Sequence, residues 1–179
     1  MYLELGNADK ADAMIEELRV AAGGSIPSGP PELTVKLLNG RIALLRGQLD
    51  QARRTIAEVL EAHLRLSQKN PAVIMTRLYL ADIALRSKQP AEAATLAQRA
   101  LEEAQGLQRG IRYSSRTGMS YLRLAEARLA QGDVDHARQA LTLALEHLNA
   151  ALGPDHSATQ RAIALETRMT LAGLRESAR

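Results

Sequence analysis

A leucine three residues before a punctuating position, followed by an alanine five residues beyond it, occurs four times along this chain. The leucines are Leu3, Leu44, Leu85 and Leu129; the punctuators are Gly6, Gly47, Lys88 and Gly132; the alanines are Ala11, Ala52, Ala93 and Ala137. The copies are spaced 41, 41 and 44 residues apart. Self-similarity at such a period is the signature of a solenoid, in which each unit buries its apolar face against the next. Each unit here reads as two helices around one tight turn, a helical hairpin.

The apolar content supports helices only. Hydrophobic residues make up 46% of the 179, but aromatic residues are just 2%, all tyrosine. The rest is mostly alanine and leucine, both strong helix formers. Glycine and proline cluster between helical stretches instead of recurring at the short, even spacing of a sandwich or barrel. The absence of cysteine excludes disulfides, thiolate nucleophiles and cysteine-ligated zinc. No basic leader or long apolar run is visible, so the expectation is a cytoplasmic protein, or a cytoplasmic piece of a larger one, with no membrane span. Twenty-three basic and 20 acidic residues leave a net charge of +3, a weak field for nucleic acid.

Taken in order, the first copy is partial: Leu3 and Gly6 end a first helix, and a second helix from about Asp9 to Ala21 carries the stripe Ala11, Met14, Ile15 and Leu18. Gly23, Gly24, Pro27, Gly29, Pro30 and Pro31 then break it. The second copy, about 31–68, places Leu33, Leu37, Gly40 and Leu44 opposite Ala52, Ile56, Val59 and Leu60, with Arg54–Glu58 and Glu61–Arg65 as solvated pairs. The third, about 71–106, opens with Asn70 as cap and Pro71 in the first turn, and turns at Ser87-Lys88-Gln89-Pro90. Its return helix has an alanine face, Ala93, Ala97 and Ala100, which requires close packing. Residues 107–117 form a loop or an extended first turn before the fourth copy, about 111–151, whose return helix is capped by Asp133. Asp155 then caps a last helix, 155–177, with Ala158, Ala162, Leu165, Met169 and Ala172 on its buried side. Arg161, Arg168, Arg175 and Arg179 make its other side polar, as a terminal cap requires.

These residues resemble the tetratricopeptide repeat family. The likeness lies in the small residue of the first helix (Gly40, Ala81, Ala125), the turn residue seven positions on (Gly47, Gly132, with Lys88 departing) and the alanine five beyond. The large aromatic common early in that family's first helix is matched only by Tyr121; Lys36 and Arg77 hold the aligned positions. The period exceeds the family's usual 34 residues and is similar to the long-hairpin repeats of bacterial LuxR-type regulators. Leu152-Gly153-Pro154-Asp155-His156 resembles the extended repeats of kinesin light chains and of bacterial kinases with helical tails. The resemblance implies an all-α, right-handed α-α superhelix, a single domain over 1–179 with about four helical hairpins (the first partial, 1–22) plus a C-terminal capping helix.

It further implies that the first helices line a concave groove for a peptide or partner helix. Carried over by position, that face holds Thr34, Leu38, Arg41 and Leu45, then Met75, Tyr79, Asp82 and Arg86, then Met119, Arg123, Glu126 and Ala130. Each set repeats at i, i+4, i+7, i+11 and so shares one helix face. Its methionines adapt to irregular partners, and Arg41, Arg86 and Arg123 can fork onto carboxylates. The same residues also fit a solvated face with internal Asp82–Arg86 pairing.

Chemistry is not indicated. His63, His136, His147 and His156 read as surface histidines; His136 and His147 lie about 16 Å apart on one helix, too far to share a metal. Gly23, Gly24 and Gly29 lack the lysine of a phosphate loop. Arg109, Arg112, Arg116 and Tyr113 read as a solvated turn, a single cluster and no basic stripe. With no convergent acid, base and nucleophile, the reading is a non-catalytic interaction scaffold with no cofactor, no catalytic or metal-binding residue, and a protein or peptide ligand. The alternatives are an effector-sensing regulatory domain of a larger bacterial regulator or kinase, and self-association as a homodimer through the helix at 9–21.

Overall fold

The computed structural model describes residues 7–21, 23–67 and 70–177. Leu3, Gly6 and Arg179, and the side chain of Arg175, lie outside what it describes. Eight α-helices and no strand make up the described chain: α1 (Ala8–Ala21), α2 (Pro30–Leu45), α3 (Leu49–Leu66), α4 (Pro71–Arg86), α5 (Pro90–Leu107), α6 (Ser115–Ala130), α7 (Val134–Leu152) and α8 (Ser157–Ser177).

The three hairpins α2–α3, α4–α5 and α6–α7 are closed by one turn geometry. After α2, the Gly47 N–H donates to Leu44 O (3.2 Å) and the Gln48 N–H to Ala43 O (2.9 Å). The same two bonds recur from Lys88 to Leu85 and Gln89 to Ala84, and from Gly132 to Leu129 and Asp133 to Arg128. This is the double bond that ends a helix by passing one residue through the left-handed region. Gly47 and Gly132 do so at φ 75° and 82°, and Lys88 follows at φ 57° despite its side chain. Helix starts are equally local. Asn70 accepts the Ala72 N–H (3.0 Å), and Pro71 and Pro90 begin α4 and α5.

The hairpins stack so that α2, α4, α6 and α8 touch in succession, whereas α3, α5 and α7 reach only the first helices beside them. The side formed by α2, α4, α6 and α8 is therefore the concave one. The core runs between the layers as linked clusters. Ala43, Leu44, Ala52, Ile56 and Leu60 join Val73, Leu80 and Ile83; Leu122, Ala125, Leu141, Ala144 and Leu148 join Ala162, Leu165 and Met169 of α8. Ala93, Ala97 and Ala100 are fully buried. Glycine inside a helix marks the tightest approaches: a Cβ on Gly40 would lie 2.5 Å from Ile56 Cγ1, and one on Gly118 would lie 2.8 Å from Leu148 Cγ.

Several expectations are corrected. Glu58 pairs with Lys36 across the hairpin and not primarily with Arg54; Lys36 is the first cause of its lowered pKa. Arg77 likewise donates from Nε to Glu103 Oε1 (3.0 Å), so ion pairs between paired helices replace the missing early aromatics. His63 is buried, with Nδ1 3.3 Å from the Thr76 hydroxyl, which itself donates to Ala72 O (2.8 Å). A hydroxyl already donating must accept here, which places the His63 proton on Nδ1. The stretch 107–117 divides: residues 108–114 are linker, and α6 starts at Ser115, capped by Ser114. His147 holds that linker by accepting the Ser114 N–H on Nδ1 (3.1 Å) between the rings of Tyr113 and Tyr121, so it too is no plain surface histidine. Along α1, Ala11 and Ile15 pack on Ile42, while Met14, Leu18 and Val20 are exposed.

Candidate functional site

On the concave side a cleft of about 380 Å³ is walled by α2, α4, α6 and the start of α8. Its floor is apolar, because the leucine stripe that packs each hairpin also reaches the inner surface at Leu44, Leu78 and Leu122. Met75 and Met119 sit above this floor. A cleft of this size with an apolar floor and a few convergent polar groups is the usual form of a binding site.

Of the residues expected there from the sequence, Arg41, Met75, Tyr79, Asp82, Arg86, Met119 and Arg123 line one cleft. Glu126 stands at its edge, joined to residues that do. Thr34 is not part of it; it lies one turn into α2, its hydroxyl donating to Pro30 O (2.9 Å). His156, Ser157, Ala158 and Arg161 complete the wall from α8, and none of these was legible as groove.

Two of these are reversals. Arg161 does not face outward: its Nε donates to Glu126 Oε1 (2.6 Å) and its Nη2 to Glu126 Oε2 (3.0 Å), with Asp82 Oδ1 3.6 Å away. Burial opposes its charge, yet Glu126 and Asp82 together hold its pKa above the ordinary arginine value. Asp155 is not the cap of the last helix. The Ala158 N–H donates to His156 Nδ1 (3.1 Å), which leaves Nε2 to carry the ring proton when His156 is neutral.

The charges divide into two groups. Arg123 donates from Nη1 to Asp82 Oδ1 (3.2 Å) and Glu126 Oε2 (2.6 Å). Its side chain is only 14% exposed, and those of Asp82 and Glu126 are 13% and 11% exposed. With Arg161, whose side chain is 44% exposed, this is a mutually neutral quartet of two carboxylates and two guanidiniums that joins α4, α6 and α8. Arg86 and Arg41 lie outside it. Arg86 donates from Nη1 to Leu44 O (3.2 Å), stays 3.8 Å from Asp82 Oδ2, and is 44% exposed. Arg41 stacks over Tyr79, 4.7 Å from the ring centroid. No carboxylate among the described residues pairs with Arg41.

This geometry defines a helical-hairpin solenoid with an internal groove. A tetratricopeptide repeat family model matches residues 34–58 and 118–141. Over those two segments the chain is similar to tetratricopeptide repeats. Two crystal structures of the nearly identical TPR-like repeats of a kinesin light chain candidate from Podosopora anserina have the same fold. Their TM-scores are 0.68 and 0.67, at 20% identity, over 99% of this chain and 84% of theirs. No curated protein matches the sequence. Tetratricopeptide repeats generally mediate protein–protein interaction and generally act as non-catalytic scaffolds. Among the described residues, no group of three potential ligands from His, Cys, Asp and Glu is placed to hold a metal, and no helix is long and apolar enough to cross a membrane.

Proposed function

We propose that the protein is a non-catalytic interaction scaffold that takes a peptide or helix of another protein into the groove of α2, α4, α6 and α8. The observation that carries this reading is the convergence of an apolar floor with polar side chains from four helices in one cleft. The mechanism is preorganisation. Each repeat is braced by its neighbours, so the ordering cost of binding falls mainly on the ligand.

Selection of a displayed random-peptide library on the full chain tests it. Binders should emerge, and Met75→Trp, which fills the cleft without altering charge, should abolish their binding while the helical circular dichroism is kept. Binders indifferent to Met75→Trp, or no binders, would remove the groove from the reading. A second reading, self-association through α1, is favoured by the exposed Met14, Leu18 and Val20. A mass that stays monomeric across concentration would dismiss it.

A further inference from the structure

We propose that copies of this chain join head to tail, the outer face of α8 in one copy packing on the free face of α1 in the next, so that the two helices form a hairpin across the joint. This rests on the self-association reading and names the surface that α1 meets.

The two helices are of complementary kinds. α1 carries Ala11 at the place of Ala52, Ala93 and Ala137 and touches only α2 among the described elements, so it is a second helix with no described first helix against it. α8 lies in the layer of α2, α4 and α6, so it is a first helix, and no described helix follows to close its hairpin. Counted from those alanines, Leu18 holds the place of Val59, Ala100 and Ala144, which are fully buried, yet Leu18 is 54% exposed and Met14 on the same side is 46% exposed. On the first helices, the stripe that meets the return helix includes Ile74 and Leu78 in α4, clustered with Ala100 and Ala104, and Leu122 and Ala125 in α6, clustered with Leu141 and Ala144. Counted from the capping residues Asn70, Ser114 and His156, the same stripe of α8 is Gln160, Ala164, Thr167 and Leu171. All four are exposed and none is charged, whereas a helix side kept for water carries charge. Sizes interlock as well. In these internal hairpins a leucine of the first helix, Leu78 or Leu122, packs with an alanine of the second, Ala100 or Ala144. At the joint the order is reversed: Ala164 stands at the leucine's place on α8 and Leu18 at the alanine's place on α1, so the pair fills a similar volume, as close packing requires. Because α1 and α8 are unlike surfaces at opposite ends of the stack, the contact extends the solenoid instead of closing a pair.

Analytical ultracentrifugation of the full chain decides this. The mass of the parent should rise with concentration and pass that of a dimer. L18D and L171D, both at exposed positions, should each stay monomeric with helical circular dichroism kept. Their equal mixture should form a dimer and nothing larger, because L171D still offers α1 and L18D still offers α8. A164L, which sets leucine against leucine, should weaken association about tenfold or more, and adding L18A should restore it. An A164L protein that associates like the parent would refute the register. Association of L171D as strong as the parent's, with L18D monomeric, would overturn the joint and leave self-association through α1 intact. A parent that is monomeric at every concentration, or association indifferent to both L18D and L171D, would overturn both. Two monomeric variants that do not recombine would overturn the pairing of one end with the other.

Discussion

Replacing Gly40 with alanine sets two effects of opposite sign against each other. Gly40 lies inside α2, where glycine is about 1 kcal/mol worse than alanine as a helix former. If propensity decided the matter, Gly40→Ala would stabilise. Against that, the new Cβ would fall 2.5 Å from Ile56 Cγ1 and 3.2 Å from its Cδ1, whereas carbon atoms are comfortable at about 3.5–4.0 Å. Ile56 is fully buried. Cγ1 hangs directly on a β-branched Cβ and cannot retreat without leaving a stiff χ1 well. Overpacking of this kind costs about 1–3 kcal/mol, and a clash with an inner atom instead of a flexible tip belongs at the upper end. The net expectation is destabilisation by about 1–2 kcal/mol, read as a lower urea midpoint by circular dichroism at an unchanged m-value.

The double-mutant cycle isolates the contact. Ile56→Ala alone opens a cavity and costs about 2–5 kcal/mol. Combined with Gly40→Ala it should cost about 1–2 kcal/mol less than the two singles summed, because the methyl then meets space and no branched side chain. The third copy already carries that pairing in register, with Ala81 and Ala97 both fully buried. A Gly40→Ala protein as stable as the parent, or an additive double mutant, would refute the close approach of α2 to α3.

Two further outcomes are expected. Lys88 sits at φ 57° where the equivalent turns use glycine; left-handed backbone costs a side-chain-bearing residue roughly 1–2 kcal/mol, partly offset by glycine's larger entropy loss on folding. Lys88→Gly should therefore stabilise by about 0.5–1 kcal/mol, raising the melting temperature by about 2–4 °C per kcal/mol in a chain of this size, and an unchanged or lower value would contradict the turn geometry. His63 and His147 have pKa values lowered by burial, with Glu146 opposing weakly at His147. A depressed folded pKa means that the unfolded chain binds more protons as pH falls below about 6.5; stability is complete above that value and declines beneath it. His147→Asn, which keeps an acceptor for the Ser114 N–H but does not titrate, should flatten the decline between about pH 7 and about pH 5.5, and an identical slope would exclude His147 as a source.

What could be read from the sequence was whatever local physics fixes. The hairpin turns were visible because left-handed backbone demands glycine at a constant distance from the leucine of the preceding turn, and even Lys88 kept the register of Leu85 and Ala93. Asn70 and Pro71 announced α4 by the same local logic. The face of α2, α4 and α6 that enters the cleft came from the resemblance to tetratricopeptide repeats; helical spacing showed only that its residues share one side. Hidden features depended on residues far apart. Arg161 meets Glu126 across 35 positions, and no periodicity distinguishes an arginine facing water from one facing a carboxylate on another helix. His63 looked like any polar position of an amphipathic helix, because its partner, Thr76, lies on α4. Asp155 has the better cap chemistry, yet α8 starts late enough that His156 takes the role.

Arg161 alters what kind of object the last helix is. The buried side of α8 is apolar, with Ala162, Leu165 and Met169 packed against α7 and α6. Apolar contacts of this sort tolerate sliding and rotation, since they are non-directional. The two parallel bonds from Arg161 to Glu126 do not, because a forked guanidinium on a carboxylate fixes both distance and plane. Arg123 in turn ties Glu126 to Asp82, so the position of α8 is set from α6 and α4 together. That brings Ser157 and Ala158 to the cleft and gives the groove a wall from α8. The quartet has a low net yield in stability, because desolvating Arg123, Asp82 and Glu126 offsets much of the attraction. Its value lies in geometry: it consumes two of the four arginines in holding the groove's shape and leaves the other two to face whatever enters.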